Sequence, residues 1–160
     1  MKINEIMSRS PHACRLEDNL NSVARLMWEH DCGCIPVIST NGNGALVGVI
    51  TDRDICMAAY TQGKPLIEIP VESSMVRGVI ACRAEDDIAM VEARMRVSRV
   101  RRIPVIDEKG ALVGIVSIND LARAAERESV MSGLPTVTLS EVAGTLAAIC
   151  TPRTKVETPM

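Results

Sequence analysis

The 160-residue chain is poor in aromatic side chains: it has no Phe, one Trp (Trp28) and one Tyr (Tyr60). Proteins that grip single-stranded nucleic acid do so on aromatic stacking platforms, so that function is disfavoured. The core has to be built from Val, Ile, Leu, Ala and Met instead. An excess of one charge is also lacking. A net charge of −2 provides no overall attraction to nucleic acid or to an anionic membrane. No apolar run approaches the ~20 residues of a membrane span, and "MKINEIMSRS" lacks the apolar core of a signal peptide. The chain is therefore read as cytoplasmic, with neither nucleic acid nor membrane as partner, and its six Cys as reduced thiols.

Catalytic signatures are missing too. The two His are His12 and His30, and neither sits in a nucleophile–base–acid pattern. There is no Walker loop and no G-x-G-x-x-G. No enzymatic activity and no catalytic residue is expected. "HDCGC" (30–34), with His12 and Cys14, invites a metal reading, but its spacing is C-x-C rather than the C-x2-4-C of zinc knuckles, so no metal site is expected.

What the chain does have is a repeat. "ACRLEDNL" (13–20) aligns with "ACRAEDDI" (81–88), and "CIPVIS" (34–39) with "RIPVID" (102–107), both at an offset of 68. "GALVGVIT" (44–51) aligns with "GALVGIVS" (110–117) at an offset of 66, because "TNGNG" carries two extra residues. "EIM" (5–7) is echoed by "SSM" (73–75). Four blocks in one order, with one small gap in a turn, mark a duplication.

Each copy predicts the same elements. A short strand (about His12–Arg15, and Val79–Arg83) precedes a helix. Leu20, Val23, Ala24 and Met27 follow the spacing of an apolar helix stripe, as do Ile88, Val91 and Met95. "IPVI" is a short β-branched strand. "NGNG" and "EKG" are turn signals, so "LVGVIT" and "LVGIVS" close hairpins. Helices start again near Asp52 and Ile118. The expected organisation is repeat 1 over 1–60, a Gly/Pro-bearing linker over 61–70, repeat 2 over 71–127 and a tail over 128–160. Within the tail a helix is expected over about 140–150, with Val142, Ala143, Leu146 and Ile149 on one face. "TPRTKVETPM" (151–160) reads as mobile.

Two β-α-β-β-α units carrying "IPVI" and then "G-h-h-T/S-x-x-D" resemble a tandem pair of CBS domains, named after cystathionine β-synthase and known together as a Bateman module. The resemblance covers roughly residues 1–127 and is nearest the small stand-alone bacterial type. It implies a mixed α/β (α+β) fold of two repeats related by a pseudo-twofold axis, followed here by the helical tail. It implies a disc-like homodimer. It also implies that an adenine nucleotide (AMP, ADP, ATP or NAD) binds in clefts between the repeats as a regulatory ligand read by a downstream protein.

Thr51 and Asp54, and Ser117 and Asp120 at the same spacing, admit two readings. As capping boxes, the hydroxyl accepts from the first helical turn and the acid reaches back to the cap, although Asp is shorter than the preferred Glu or Gln. As a site, a helix N-terminus suits phosphate and a carboxylate there can accept from both ribose hydroxyls. The resemblance implies the second use, and the two are compatible. Arg53, in the first helical turn, opposes the helix dipole unless an anion or solvent compensates.

The "SRVRRIPV" segment places Arg99, Arg101 and Arg102 before the second "IPV", where the first copy has "HDCGCIPV". Arg forks fit phosphate. The alternative is a solvated face, or pairing with Glu29 or Asp31. This asymmetry predicts two unequal clefts. One would take a di- or triphosphate or a dinucleotide such as NAD; the other would take a less charged nucleoside or stay empty. With so few aromatics, adenine would be walled by Ile35 and Pro36, by Ile103 and Pro104, and by Ile80, with His12 opposite Ile80 in the alignment. Two rivals remain open: a ligand-free protein-interaction or structural module, and a thiol redox sensor at Cys32 and Cys34.

Overall fold

Short β-branched runs in each copy pair across a turn, and each hairpin hands its chain to a helix. The computed structural model of the chain describes residues 1–41, 43–130 and 135–151. The elements are β1 (Ser8–Arg9), β2 (Cys14–Arg15), α1 (Leu20–Glu29), β3 (Cys34–Ile38), β4 (Leu46–Thr51), α2 (Asp52–Gln62), β5 (Cys82–Arg83), α3 (Ile88–Ser98), β6 (Arg102–Ile106), β7 (Leu112–Ser117), α4 (Ile118–Val130) and α5 (Leu139–Cys150). β2–β3–β4 form one sheet and β1–β7–β6–β5 the other. The hairpins are in matching register, with Ile35 opposite Ile50 and Ile103 opposite Val116. The strands that lead into α1 and α3 are two residues each, shorter than the predicted His12–Arg15 and Val79–Arg83, because their parallel pairing with β3 and β6 lasts only two residues.

The leading segment of each copy packs on the other copy. β1 runs antiparallel to β7 of the second hairpin, and Val76 bridges Val49 of the first. Ile3 is fully buried in the second core with Ile88, Val91, Met95, Ile103 and Val116. Its counterpart Val71, with Ile69 from the linker, is fully buried in the first core with Leu20, Val23, Ile35, Val37 and Ile50. Burying a side chain of this size stabilises by about 1.5–3 kcal/mol, so each repeat depends on residues from the other.

This exchange explains the Gly inside "LVGVIT" and "LVGIVS". A Cβ on Gly48 would lie 2.8 Å from Met75 Sδ and 2.9 Å from the Val76 carbonyl. A Cβ on Gly114 would lie 2.7 Å from Met7 Sδ and 3.1 Å from the Ser8 carbonyl. The methionines that end "EIM" and "SSM" lie over the bare backbone of the opposite hairpin. The two hairpins also touch reciprocally: Leu46 N–H donates to the Gly110 carbonyl and Leu112 N–H to the Gly44 carbonyl, both at 3.0 Å.

The predicted tail helix exists as α5, one residue earlier than expected. Its buried face differs from the prediction. Val142 and Thr145 are buried, and Ile149 packs on the second core, whereas Ala143 and Leu146 are exposed. The reason is polar. Thr145 Oγ1 donates to buried Glu92 on α3, and Arg96 donates to Thr145 Oγ1 from Nε at 3.1 Å and from a terminal nitrogen at 3.0 Å. A buried hydroxyl must be paired, and this pairing sets the rotation of α5. Residues 152–160 lie outside the described residues. Among the described residues no helix is long and apolar enough to cross a membrane.

Candidate functional site

Both expected capping boxes form. The Thr51 hydroxyl and backbone N–H donate to Asp54 Oδ2 at 2.7 and 2.9 Å, and Asp54 N–H donates back to Thr51 Oγ1 at 3.3 Å. The Ser117 hydroxyl and N–H donate to Asp120 Oδ2 at 2.6 and 2.8 Å, with a return bond of 3.4 Å. Asp is long enough because the cap residue is extended, at φ −115° and ψ 163° for Thr51. In each box Oδ2 closes the cap, and Oδ1, the outward oxygen, takes no part in it.

A cavity of about 380 Å³ opens beside the second box. Ser117, Asn119, Asp120 and Arg123 line it from the second repeat, Ile35 and Pro36 from the first, and Arg9 and His12 from the exchanged N-terminal arm. It therefore lies between the repeats. Ile35 and Pro36, on the buried strand β3, supply apolar lining. His12 and His30 stack face to face at the rim, centroids 3.4 Å apart and planes 8° apart. Asp120 is the one carboxylate among the lining residues, against the three guanidiniums of Arg9, Arg102 and Arg123, so the cavity carries net positive charge.

Several predicted residues thus converge here: Ser117, Asp120, Ile35, Pro36, His12 and Arg102. Thr51, Asp54, Arg53, Ile103, Pro104 and Ile80 line neither this cavity nor the one described next. They stand at the repeat-equivalent positions, Thr51 for Ser117, Asp54 for Asp120 and Ile80 for His12. Arg53 is exposed and its N–H donates to the neighbouring Asp52 at 2.7 Å.

The three "SRVRR" arginines separate. Arg99 ends α3 in the left-handed conformation and lines neither cavity. Arg101 and Arg102 line a second cavity of about 540 Å³ with Trp28, Asp31, Gly33 and Asp52 on the helical side of the first repeat. Among the described residues neither forms an ion pair; Glu29 pairs with Arg25 at 3.7 Å instead. Arg9, His30 and Arg123 were not anticipated as site residues. Arg123 was visible in principle, because the repeat alignment sets it opposite Met57.

Burial pushes the Cys34 thiol up to about 11, and burial also raises Cys32 despite the opposing influence of Arg102. A redox-sensing thiol needs the opposite shift. Cys14 and Cys82, at equivalent core positions, are raised to about 12 by burial and by Asp18 and Asp86 respectively. Among the described residues no three His, Cys, Asp or Glu converge to hold a metal ion.

A family model of the CBS domain matches the chain twice, over residues 3–60 and 68–127. An uncharacterized 17.7 kDa protein of Acidianus ambivalens is 32% identical over 123 residues, 77% of this chain and 72% of that one. In the next curated relatives the match spans between 22% and 56% of their length. The crystal structure of Hypoxic Response Protein I with two coordinated zinc ions is similar, at 29% identity and TM-score 0.69, covering 77% of this chain and 98% of that chain. So is the CBS domain pair of protein MJ0100 in complex with 5′-methylthioadenosine and S-adenosyl-L-methionine, at 25% identity and TM-score 0.71, covering 80% and 98%.

Proposed function

Since this chain belongs to the CBS-domain family, as a tandem pair of repeats, we propose that it is a sensor module that binds an adenine nucleotide between its repeats and does no chemistry of its own. AMP, ADP, ATP and NAD are the candidate ligands. The observation that carries this reading is the cavity between the repeats: an apolar wall at Ile35 and Pro36, an acid at Asp120 suited to ribose hydroxyls, and guanidiniums at Arg9, Arg102 and Arg123 suited to phosphate. The adenosine compounds held by the MJ0100 pair support the class of ligand.

The cavity is walled by both repeats and by the exchanged arm, so a ligand there favours one relative placement of the repeats. The signal is a population shift, which requires different affinity for two states. A downstream protein would read the shift. We also infer a homodimer. Trp28 and Tyr60 on the helical face of the first repeat are 88% and 82% exposed, and large aromatics so placed are typical interface anchors.

A thermal-shift panel with AMP, ADP, ATP, NAD and S-adenosylmethionine tests the reading. A ligand at 100 times its Kd stabilises by about 2.7 kcal/mol, so at least one compound raises Tm by several degrees. No shift with any of them leaves the chain as a protein-interaction module.

A further inference from the structure

The two capping boxes differ in what meets the outward carboxylate oxygen. Asp54 Oδ1 has no partner among the described residues. Asp120 Oδ1 accepts from the guanidinium of Arg123, one turn further along α4. The repeat-equivalent of Arg123 is Met57. Asp120 is nearly buried, at 6% side-chain exposure, whereas Arg123 is 67% exposed. Both line the cavity between the repeats, together with Arg9 and Arg102.

We propose, on the basis of the adenine-nucleotide reading, that Arg123 is a phosphate-operated latch that makes the Ser117–Asp120 cleft select nucleotides over nucleosides. A ribose diol needs the outward oxygen of Asp120, and Arg123 already donates to it. A nucleoside has to break this ion pair and offers the guanidinium nothing in exchange. A nucleotide also breaks it, but brings phosphate oxygens that the same guanidinium can grip as a fork. Arg123 is exposed and sits at the end of a flexible stem, so it can swing without disturbing the core. Arg102, which has no ion pair among the described residues, and Arg9, which donates to the Asn4 carbonyl at 3.2 Å, extend the phosphate-facing surface. With Met57 in place of the arginine, the Thr51–Asp54 box has no latch and imposes no such preference.

The test is calorimetric titration of the full chain with adenosine, AMP, ADP and ATP. An Asp54→Ala background leaves the Ser117–Asp120 cleft as the one with an intact acid. ATP is expected to bind at least about tenfold more tightly than adenosine, a gap of about 1.4 kcal/mol. Adding Arg123→Met, the residue that the first repeat carries, should collapse the gap from both sides, weakening ATP and tightening adenosine. Arg123→Lys, which keeps the charge and loses the fork, should give an intermediate ratio. Circular dichroism of each variant verifies the fold. Equal binding of adenosine and ATP before the change, or an adenosine affinity that Arg123→Met does not improve, overturns the latch and leaves nucleotide binding standing. Failure of the unsubstituted chain to bind any of the four compounds overturns the nucleotide reading, and the latch with it.

Discussion

Among the described residues the helical face of the second repeat is covered and that of the first is open. α5 lies across α3 and α4, and nothing among the described residues lies in the same way across α1 and α2. The backbones match, so the difference comes from side chains. Where α3 offers Glu92 and Arg96 to the Thr145 hydroxyl, α1 has Ala24 and Trp28. On the first repeat that hydroxyl would be buried unpaired, at a cost of about 1–3 kcal/mol. Duplication supplied two similar faces, and a single polar triad assigns the tail helix to one of them. The capping boxes diverge in the same way, through Arg123 against Met57.

Three experiments bear on this comparison. The largest effect belongs to what the repeats share, the exchanged residues. Ile3→Ala and Val71→Ala each empty a fully buried site in the core of the opposite repeat, and the larger of the two should cost about 3 kcal/mol. Urea unfolding should stay a single transition in both variants, because each core borrows a residue from the other half. Two separate transitions would mean that the repeats are independent.

The open face gives the next effect. Trp28→Ala should weaken self-association by about 2 kcal/mol, as for an interface anchor, read by sedimentation equilibrium as roughly a thirtyfold weaker dimer. The equivalent change on the covered face, Arg96→Ala, should loosen α5 instead. Identical sedimentation of Trp28→Ala and the unsubstituted protein would place the interface elsewhere.

The smallest effect belongs to the triad itself. Thr145→Val keeps the shape and removes the hydroxyl, and should cost on the order of 1 kcal/mol. Faster proteolysis near α5, with cleavage elsewhere unchanged, is the expected sign. Unchanged protection would show that apolar contacts of Val137 and Val142 hold α5 without the triad.

Much of the fold could be read directly from the chain. The repeat blocks predicted both hairpins, and of the helix stripes Leu20, Val23, Met27, Ile88, Val91 and Met95 are buried as expected, with Ala24 partly buried. Local spacing accounts for this, because a capping box or a two-strand hairpin is decided within a few residues. The exchange was not legible. "EIM" and "SSM" looked like an echo, but nothing local says that Met7 lies on Gly114 and Met75 on Gly48. The site divided along the same line. Ser117 and Asp120 are neighbours on one helix start, so their capping box was legible as a motif. Arg9 and His30 reach the cavity only by long-range packing, and of the three "SRVRR" arginines grouped by sequence Arg101 and Arg102 share a cavity while Arg99 lines neither.

By itself, then, the sequence determined the duplication, the elements of each copy, the paired hydroxyl–carboxylate boxes and the aliphatic nature of the core. These follow from short-range patterns that hold in any fold containing such repeats. The tertiary structure decided which half each leading segment completes, which face α5 covers, and which side chains of the first repeat and the N-terminal arm meet the Ser117–Asp120 box. Those outcomes depend on burial and pairing between residues tens of positions apart, such as Thr145 with Glu92 and Arg96, which no short-range pattern specifies.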